Sequence, residues 1–246
     1  MNQPISRSKF DFIGWHDNVN VILGSDNHNN YMNHGYYPAY KNLFDYHKIF
    51  KHQASLYLHL FDNIDTKNKS LLEVGCGRGG GINLLSESFD FKNIEACDLT
   101  DSNITHCQKY ANDIKFKVAD AENLDYDDDQ FDIVINVESS HCYKDLNPFF
   151  FKVQKILKSD GVFLYTDVFE PQHIGYVEQN LSHFFKIIKE DITDNVMQSC
   201  EYDIEYFDTV LPDKDSKEFY INIAKDKGKR YKEGELLYIK YIGKAI

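Results

Sequence analysis

No stretch of the 246-residue chain approaches the run of apolar residues that a membrane span requires. The first residues, M-N-Q-P-I-S-R-S-K-F-D-F, contain no apolar core of the kind a secretory leader carries, so a soluble, cytoplasmic protein is the expectation. Positive charge is also scarce, with 27 Lys and Arg against 39 Asp and Glu. That balance opposes approach to a phosphate backbone unless a basic face is segregated, and nucleic acid is not an expected partner. The only basic cluster, Lys225 to Lys232, reads as a solvated surface turn. The five cysteines, Cys76, Cys97, Cys107, Cys142 and Cys200, form no C-x-x-C pair and have no companion histidines at zinc spacing. Reduced thiols and no metal site are the simplest reading. Internal repeats and low-complexity linkers are missing too, which leaves a length suited to one large α/β unit.

Against these absences stands one informative stretch, Ser70 to Gly81, S-L-L-E-V-G-C-G-R-G-G-G. Leu71, Leu72 and Val74 make a short apolar strand that stops at Gly75, and Ile82, Leu84 and Leu85 open a helix after the glycines. Glycine permits positive φ in such a turn and lets a ligand reach the backbone, while the N–H groups of the next helix face the same spot. The ligand class is nucleotide-like. Gly75, Gly77 and Gly80 also fit G-x-G-x-x-G, the dinucleotide pattern. Glu73 separates the alternatives: a carboxylate beside the turn is a poor neighbour for a diphosphate and a good one for a ligand carrying an ammonium and a sulfonium.

Read as Glu73-Val74-Gly75-Cys76-Gly77-Arg78-Gly79, the stretch resembles the first motif, E/D-x-G-x-G-x-G, of class I S-adenosylmethionine-dependent methyltransferases. The resemblance implies S-adenosyl-L-methionine as cofactor, held by Glu73, Gly75, Gly77 and Gly79. It also implies an α/β fold: a Rossmann-like, seven-stranded, mostly parallel sheet with one antiparallel edge, helices on both faces, an N-terminal helical lid and inserted helices before the last strands. The expected division is a lid and helix over 1–64, a cofactor-binding core over 65–168, and an acceptor-pocket insertion with the last strands over 169–246.

In chain order, residues 1–44 look like a cover rather than a core. Tyr31 to Pro38 is either an aromatic surface loop or a lid whose Tyr36 and His34 close over the cofactor. Similarity to a G-Y-[WY] element of small-molecule methyltransferases favours the lid. From Asp45 to Ile64, Phe50, Ala54, Tyr57, Leu58 and Phe61 share one helical face, with His47, His52 and His59 as solvent or packing residues. Asn93 to Asp98 reads as a strand ending about twenty residues past the glycines, the spacing that puts a carboxylate on the ribose, with Leu99 against the adenine. Alternatively, Asp98 caps the helix that begins near Ser102. After the strand Ile114 to Val118, the resemblance assigns Asp120 and Ala121 to the adenine, and Asp125 to Asp129 is a solvated loop.

Phe131 to Val137 is the strongest buried-strand signal, and polar residues gather directly at its end. The tract Asn136-x-Glu138-Ser139-Ser140-His141-x-Tyr143 closely resembles that of bacterial O-methyltransferases acting on sugars, polyketides and phenolic lipids, and Asn136 is counted with the cofactor residues. A helix from Pro148, a turn at Ser159-Asp160-Gly161 and a strand Val162 to Thr166 follow, ending at Asp167. Further on, helices are expected near 174–184, 195–207 and 216–224, with strands at 185–188 and 236–242.

Methyl transfer to a neutral hydroxyl needs an aligned acceptor, excluded water and a group to take the proton. His141 is the expected base and Asp167, at the end of the adjacent strand, the residue that fixes its tautomer. A wall role for His141, a turn role for Asp167, and Glu138 as base or loop holder remain alternatives. Cys142 stands where relatives often have a second histidine, and Ser159-Asp160-Gly161 where they have P-G-G. The [DN]-P-P-[YF] tetrapeptide of base and glutamine N-methyltransferases is absent. The expected partner is a small-molecule acceptor, with carbon or amine acceptors, a non-catalytic cofactor-binding scaffold and an NAD oxidoreductase as competitors. Oligomeric state, a homodimer included, is left open.

Overall fold

A computed structural model describes residues 9–24, 30–110 and 113–246. Residues 1–8 and 25–29 of the expected cover lie outside the described residues. The chain opens with α1 (Lys9–Leu23), then a 3-10 helix (Asp45–Phe50) that runs into α2 (Lys51–Leu60). The central elements are β1 (Ser70–Val74), α3 (Gly80–Ser88), β2 (Asn93–Asp98), α4 (Asp101–Tyr110), β3 (Ile114–Val118), β4 (Phe131–Val137), α5 (Leu146–Ile156) and β5 (Leu157–Phe169). They are followed by α6 (Pro171–Ser182), β6 (Phe185–Asp191), α7 (Thr193–Val210), α8 (Lys214–Lys232) and β7 (Leu237–Ala245).

The seven strands lie in the order β3-β2-β1-β4-β5-β7-β6. All neighbours from β3 to β5 are parallel, and β7 is antiparallel to both β5 and β6. Every residue of β1 is buried, as expected of a strand covered on both faces. Alternation then sends Leu71 to an apolar layer with Leu56, Ile82 and Leu85, and Leu72 and Val74 to a second layer with Phe149, Phe150 and Phe163. From β1 the chain winds outward through β2 and β3, then returns to place β4 on the other side of β1. This reversal opens a crevice at the carboxyl ends of β1 and β4, where open α/β sheets bind ligands.

Three expectations need correction. The antiparallel strand is β7, one place in from the edge, because β6 pairs along its outer side. The expected turn at Ser159-Asp160-Gly161 is a bulge inside β5: Leu157 already pairs with Phe131, and pairing resumes at Val162 with Ile133. Lys158 reaches back across the bulge to Asp132 at 2.7 Å. The basic run Lys225 to Lys232 is no turn but the end of α8, where Lys229, Arg230 and Lys232 complement the helix dipole. Gly228 is there for close packing, since a Cβ would sit 3.3 Å from that of Cys200 on α7. Of the two readings of His47, His52 and His59, packing is the one observed, since all three are buried. His52 meets Asp203 at 2.6 Å, and His47 and His59 lie within 3.4 and 3.3 Å of Glu87 and Glu190.

Gly81, in the first turn of α3, is required by a close approach. A Cβ at this position would lie 1.9 Å from the ring of Tyr57. Gly81→Ala should therefore lower the stability measured by urea unfolding by about 1–3 kcal/mol, the usual cost of overpacking. Gly14→Ala, in α1 with nothing within 4 Å of its Cβ, is the control and should be neutral or slightly stabilising.

Candidate active site

A cavity of about 1020 Å³ occupies the crevice. Its floor is the carboxyl ends of β1, β2, β4 and β5; α1, the segment 30–34, α6 and α8 wall and roof it. Gly75, Cys76, Gly77, Arg78, Gly80 and Gly81 line one end together with Asp98, Leu99, Asp120 and Ala121. Gly75 has φ +76°, and a Cβ there would fall 2.2 Å from the Ser139 hydroxyl, so the strand end can cross the β4 loop only without a side chain. Asp98 braces this end: one oxygen accepts the Gly77 N–H at 2.9 Å, the other the Thr100 N–H at 2.8 Å and the Asn103 amide at 3.1 Å. Supporting the start of α4 and facing the cavity are thus compatible for one carboxylate. Asp120 accepts the Glu122 N–H at 3.0 Å and lines the cavity beside it.

Four residues expected at the cofactor do not line the cavity. Asn136 is fully buried behind the wall, where its amide donates to the Val74 carbonyl, Ser139 and Tyr143 at 2.7 to 2.9 Å and so ties β4 to the end of β1. Tyr36 is turned away and stacks on His59, with ring centroids 4.1 Å apart. Gly79 supplies the left-handed residue, φ +80°, that starts α3. Glu73 lies beneath the cavity, fully buried, with one oxygen accepting the Tyr57 hydroxyl at 2.8 Å; Tyr57 itself lines the cavity. Among the described residues the buried second carboxyl oxygen of Glu73 finds no hydrogen-bond partner. Burial, reinforced by Asp98 and opposed by the Tyr57 hydrogen bond, pushes its pKa up to about 8.

Where β4 ends beside β5, His141 Nδ1 lies 2.7 Å from Asp167 Oδ1. Asp167 is fully buried and further accepts the Ser140 hydroxyl at 2.6 Å, the His141 N–H at 3.0 Å and the Val168 N–H at 2.8 Å. The His141 side chain, 41% exposed, lines the cavity. Burial lowers its pKa, but Asp167 and, less strongly, Cys142 outweigh that and hold it well above the usual histidine value. Glu138 has φ +47° and puts one oxygen 2.6 Å from both the His34 N–H and the Tyr238 hydroxyl. His34 lines the cavity, joins the Tyr231 hydroxyl at 2.7 Å through Nδ1, and is kept neutral by burial and by the nearby positive charge of Lys227.

Sequence reasoning missed Phe12, Trp15 and His16 of α1, which line the cavity, and Lys227 and Arg230 of α8, which do the same. It also passed over Arg78 as a spacer in the glycine motif. Its buried guanidinium donates to Asn20 and, at 2.8 Å, to the Gly24 carbonyl, fastening the end of α1 to the glycine turn. Among the described residues no three His, Cys, Asp or Glu side chains are grouped to hold a metal, and no helix is long and apolar enough to cross a membrane.

The residues fit an adenosyl sulfonium ligand. The glycine cradle, a carboxylate at the end of β2 and a second polar turn after β3 follow one another along one end of the cavity, and the unpartnered oxygen of Glu73 is suited to a cationic group. A family profile described as "Methyltransferase domain" matches residues 72–165. The chain is 31% identical over 195 residues to phthiotriol/phenolphthiotriol dimycocerosates methyltransferase 1 of Mycobacterium ulcerans (strain Agy99), covering 76% of this chain and 72% of that protein. It is 34% identical over 142 residues to a fatty-acid O-methyltransferase of Mycolicibacterium smegmatis, covering 56% of this chain and 52% of that one. Geranyl diphosphate C-methyltransferase from Streptomyces coelicolor A3(2), solved with S-adenosyl-L-homocysteine, superposes over the full length of both chains with a TM-score of 0.72 at 17% identity. The chain belongs to the class I S-adenosylmethionine-dependent methyltransferases.

Proposed function

We propose that the protein transfers a methyl group from S-adenosylmethionine to a hydroxyl of a small lipid-like acceptor, with His141 as general base and Asp167 as the residue that orients it. The observation that carries this reading is the 2.7 Å contact between His141 Nδ1 and the buried Asp167, in the same cavity that the glycine turn lines. The names of the two curated relatives, both acting on lipids, support the acceptor class. Residues 1–64 act as lid and helix, 65–168 as cofactor core and 169–246 as acceptor wall and last strands.

Glu73, the backbone of Gly75 and Gly77, Asp98, Leu99, Asp120 and Ala121 would hold the cofactor, which when bound supplies an electrophilic methyl on a sulfonium. Asp167 cannot turn, because Ser140 and two backbone N–H groups hold both its oxygens. It therefore fixes the His141 ring with Nδ1–H toward it and leaves the second ring nitrogen as the base. Phe169 and Tyr176 also line the cavity and would help to keep water from the acceptor oxygen.

A second reading is favoured by the raised pKa of His141 and by the fatty-acid relative. In it the acceptor is a carboxylate, already ionised, and protonated His141 binds it rather than deprotonating it. The pH profile separates the two. With a hydroxyl acceptor, kcat/KM rises with pH through a pKa above 6.5, since only the neutral imidazole accepts a proton; with a carboxylate acceptor it falls through the same pKa. The experiment is a screen of hydroxylated lipids and fatty acids for products heavier by one methylene, followed by the profile of the best acceptor. A profile flat from pH 6 to 9 would remove His141 from both roles.

A further inference from the structure

The segment from Asn30 to Tyr37 has no regular structure, yet it roofs the cofactor end of the cavity. Asn30 O accepts the Gly80 N–H at 3.3 Å, and Met32 Sδ lies 3.8 Å from where a Gly77 Cβ would be. Most of its hydrogen bonds go to helices. Asn30 meets His106 of α4, the Tyr31 carbonyl accepts from Tyr220 of α8, Asn33 and Tyr36 donate to carbonyls of α2, and Tyr37 donates to a carbonyl of α7. Among the described residues, only Glu138 joins this segment to the carboxyl end of the sheet.

The joint is two-sided. Glu138 Oε1 accepts the His34 backbone N–H and the Tyr238 hydroxyl, each at 2.6 Å, so the roof and β7 share one oxygen. Glu138 Oε2 lies 3.5 Å from His34 Nε2, and His34 Nδ1 is 2.7 Å from the Tyr231 hydroxyl of α8. With the tyrosine hydroxyl donating to Nδ1, Nε2 carries its proton toward the carboxylate. The residue that does this holds φ +47°, a conformation glycine takes freely and glutamate does not. Glutamate at such a position costs backbone energy, which its carboxylate must offset.

We propose that Glu138 is a positioning residue that latches the roof segment 30–37 to the sheet, and that cofactor affinity depends on this latch. The inference rests on S-adenosylmethionine as the ligand, and binding of S-adenosylhomocysteine by the unaltered protein is the control that separates failure of that premise from failure of the latch.

The test compares Glu138→Gly with Glu138→Gln by calorimetric titration with S-adenosylhomocysteine and by amide hydrogen exchange. Glycine relieves the strained φ but removes the acceptor of both hydrogen bonds; glutamine keeps the side chain's shape and one carbonyl oxygen for both donors. Glu138→Gly should bind about tenfold more weakly, the scale of a lost charge-assisted hydrogen bond, and exchange faster at residues 30–37. Glu138→Gln, which keeps an oxygen for both 2.6 Å donors but loses the charge and sets an amide NH2 against His34 Nε2–H, should recover part of the affinity and protection. Unchanged affinity and exchange in Glu138→Gly, or a Glu138→Gln protein as weak as Glu138→Gly, would overturn the latch. If Glu138→Gly does not fold, Tyr238→Phe removes one of the two donors with no backbone change and should shift affinity and exchange in the same direction by less; no shift there counts against the proposal equally.

Discussion

His141→Ala should lower kcat by at least about a hundredfold while leaving S-adenosylhomocysteine affinity within about twofold, as expected for a group that acts on the acceptor's proton. The separation follows from the geometry. The hydrogen bonds that hold His141 go to Asp167, and none reaches Asp98, Asp120 or the backbone of Gly75 to Gly81. Asp167→Asn is the sharper variant. It keeps the volume but replaces the acceptor facing Nδ1, loses the negative charge that raises the pKa of His141, and so favours the wrong tautomer. With a hydroxyl acceptor its kcat should also fall at least about a hundredfold. Its apparent pKa should move down toward the ordinary value of about 6.5, so that residual activity extends to lower pH. Equal turnover by Asp167→Asn and the unaltered protein would reduce Asp167 to a structural cap.

The linkage sign for this pair is the opposite of that for an ordinary buried histidine. Because the folded-state pKa of His141 lies above its unfolded value, the pair stabilises the fold fully below pH 6.5 and loses that contribution as pH rises through the raised pKa. Turnover with a hydroxyl acceptor rises over the same range. Conditions that activate the base thus withdraw some of the electrostatic support for the loop that carries it.

The parts of the site that could be read from sequence are those where backbone geometry dictates residue type. Gly75 and Gly81 must lack a side chain because Ser139 and Tyr57 occupy the space, and Asp98 follows at the length of one strand-helix-strand unit. Asn136 and Tyr36 were misplaced because spacing locates a residue along the chain but not the side to which it turns. One faces the strand end it holds, the other a histidine 4.1 Å away. Likewise, the groups that accompany the buried histidines are mostly remote in sequence, Asp203 of α7 for His52, Tyr31 for His47 and Glu190 of β6 for His59, and only Asp62, three residues past His59, is local. The walls from α1 and α8 were hidden for a related reason. Their cavity-lining positions mix polar residues, His16, Asn222, Asp226, Lys227 and Arg230, with Phe12, Trp15 and Ile223, so the apolar period that reveals a core-facing helix is broken on that side.

Glu73→Gln is expected to make the ligand-free protein relatively more stable as pH rises while weakening S-adenosylmethionine binding at least about tenfold, because an amide cannot pair as a carboxylate does with an ammonium. Glu73 is fully buried, shares one oxygen with Tyr57 and leaves the other unpartnered. Its folded-state pKa, about 8, lies above the ordinary 4.5. The sign follows from proton binding: between these values the unfolded chain has given up the proton and the folded protein keeps it, so stability falls with rising pH across that window. One pKa unit is worth about 1.4 kcal/mol, and the stability difference between Glu73→Gln and the unaltered protein should grow by roughly 3 kcal/mol from pH 5 to pH 8. Urea unfolding of both proteins without ligand at several pH values measures it, and parallel curves would mean that Glu73 is already ionised in the fold. A cationic ligand reverses the preference. It favours the ionised carboxylate, so binding of S-adenosylmethionine near pH 7 should release protons, detectable as a dependence of the calorimetric heat on buffer ionisation enthalpy. Glu73→Gln should release fewer. On the proposed reading, the carboxyl that costs the empty protein stability would contribute to holding the cofactor.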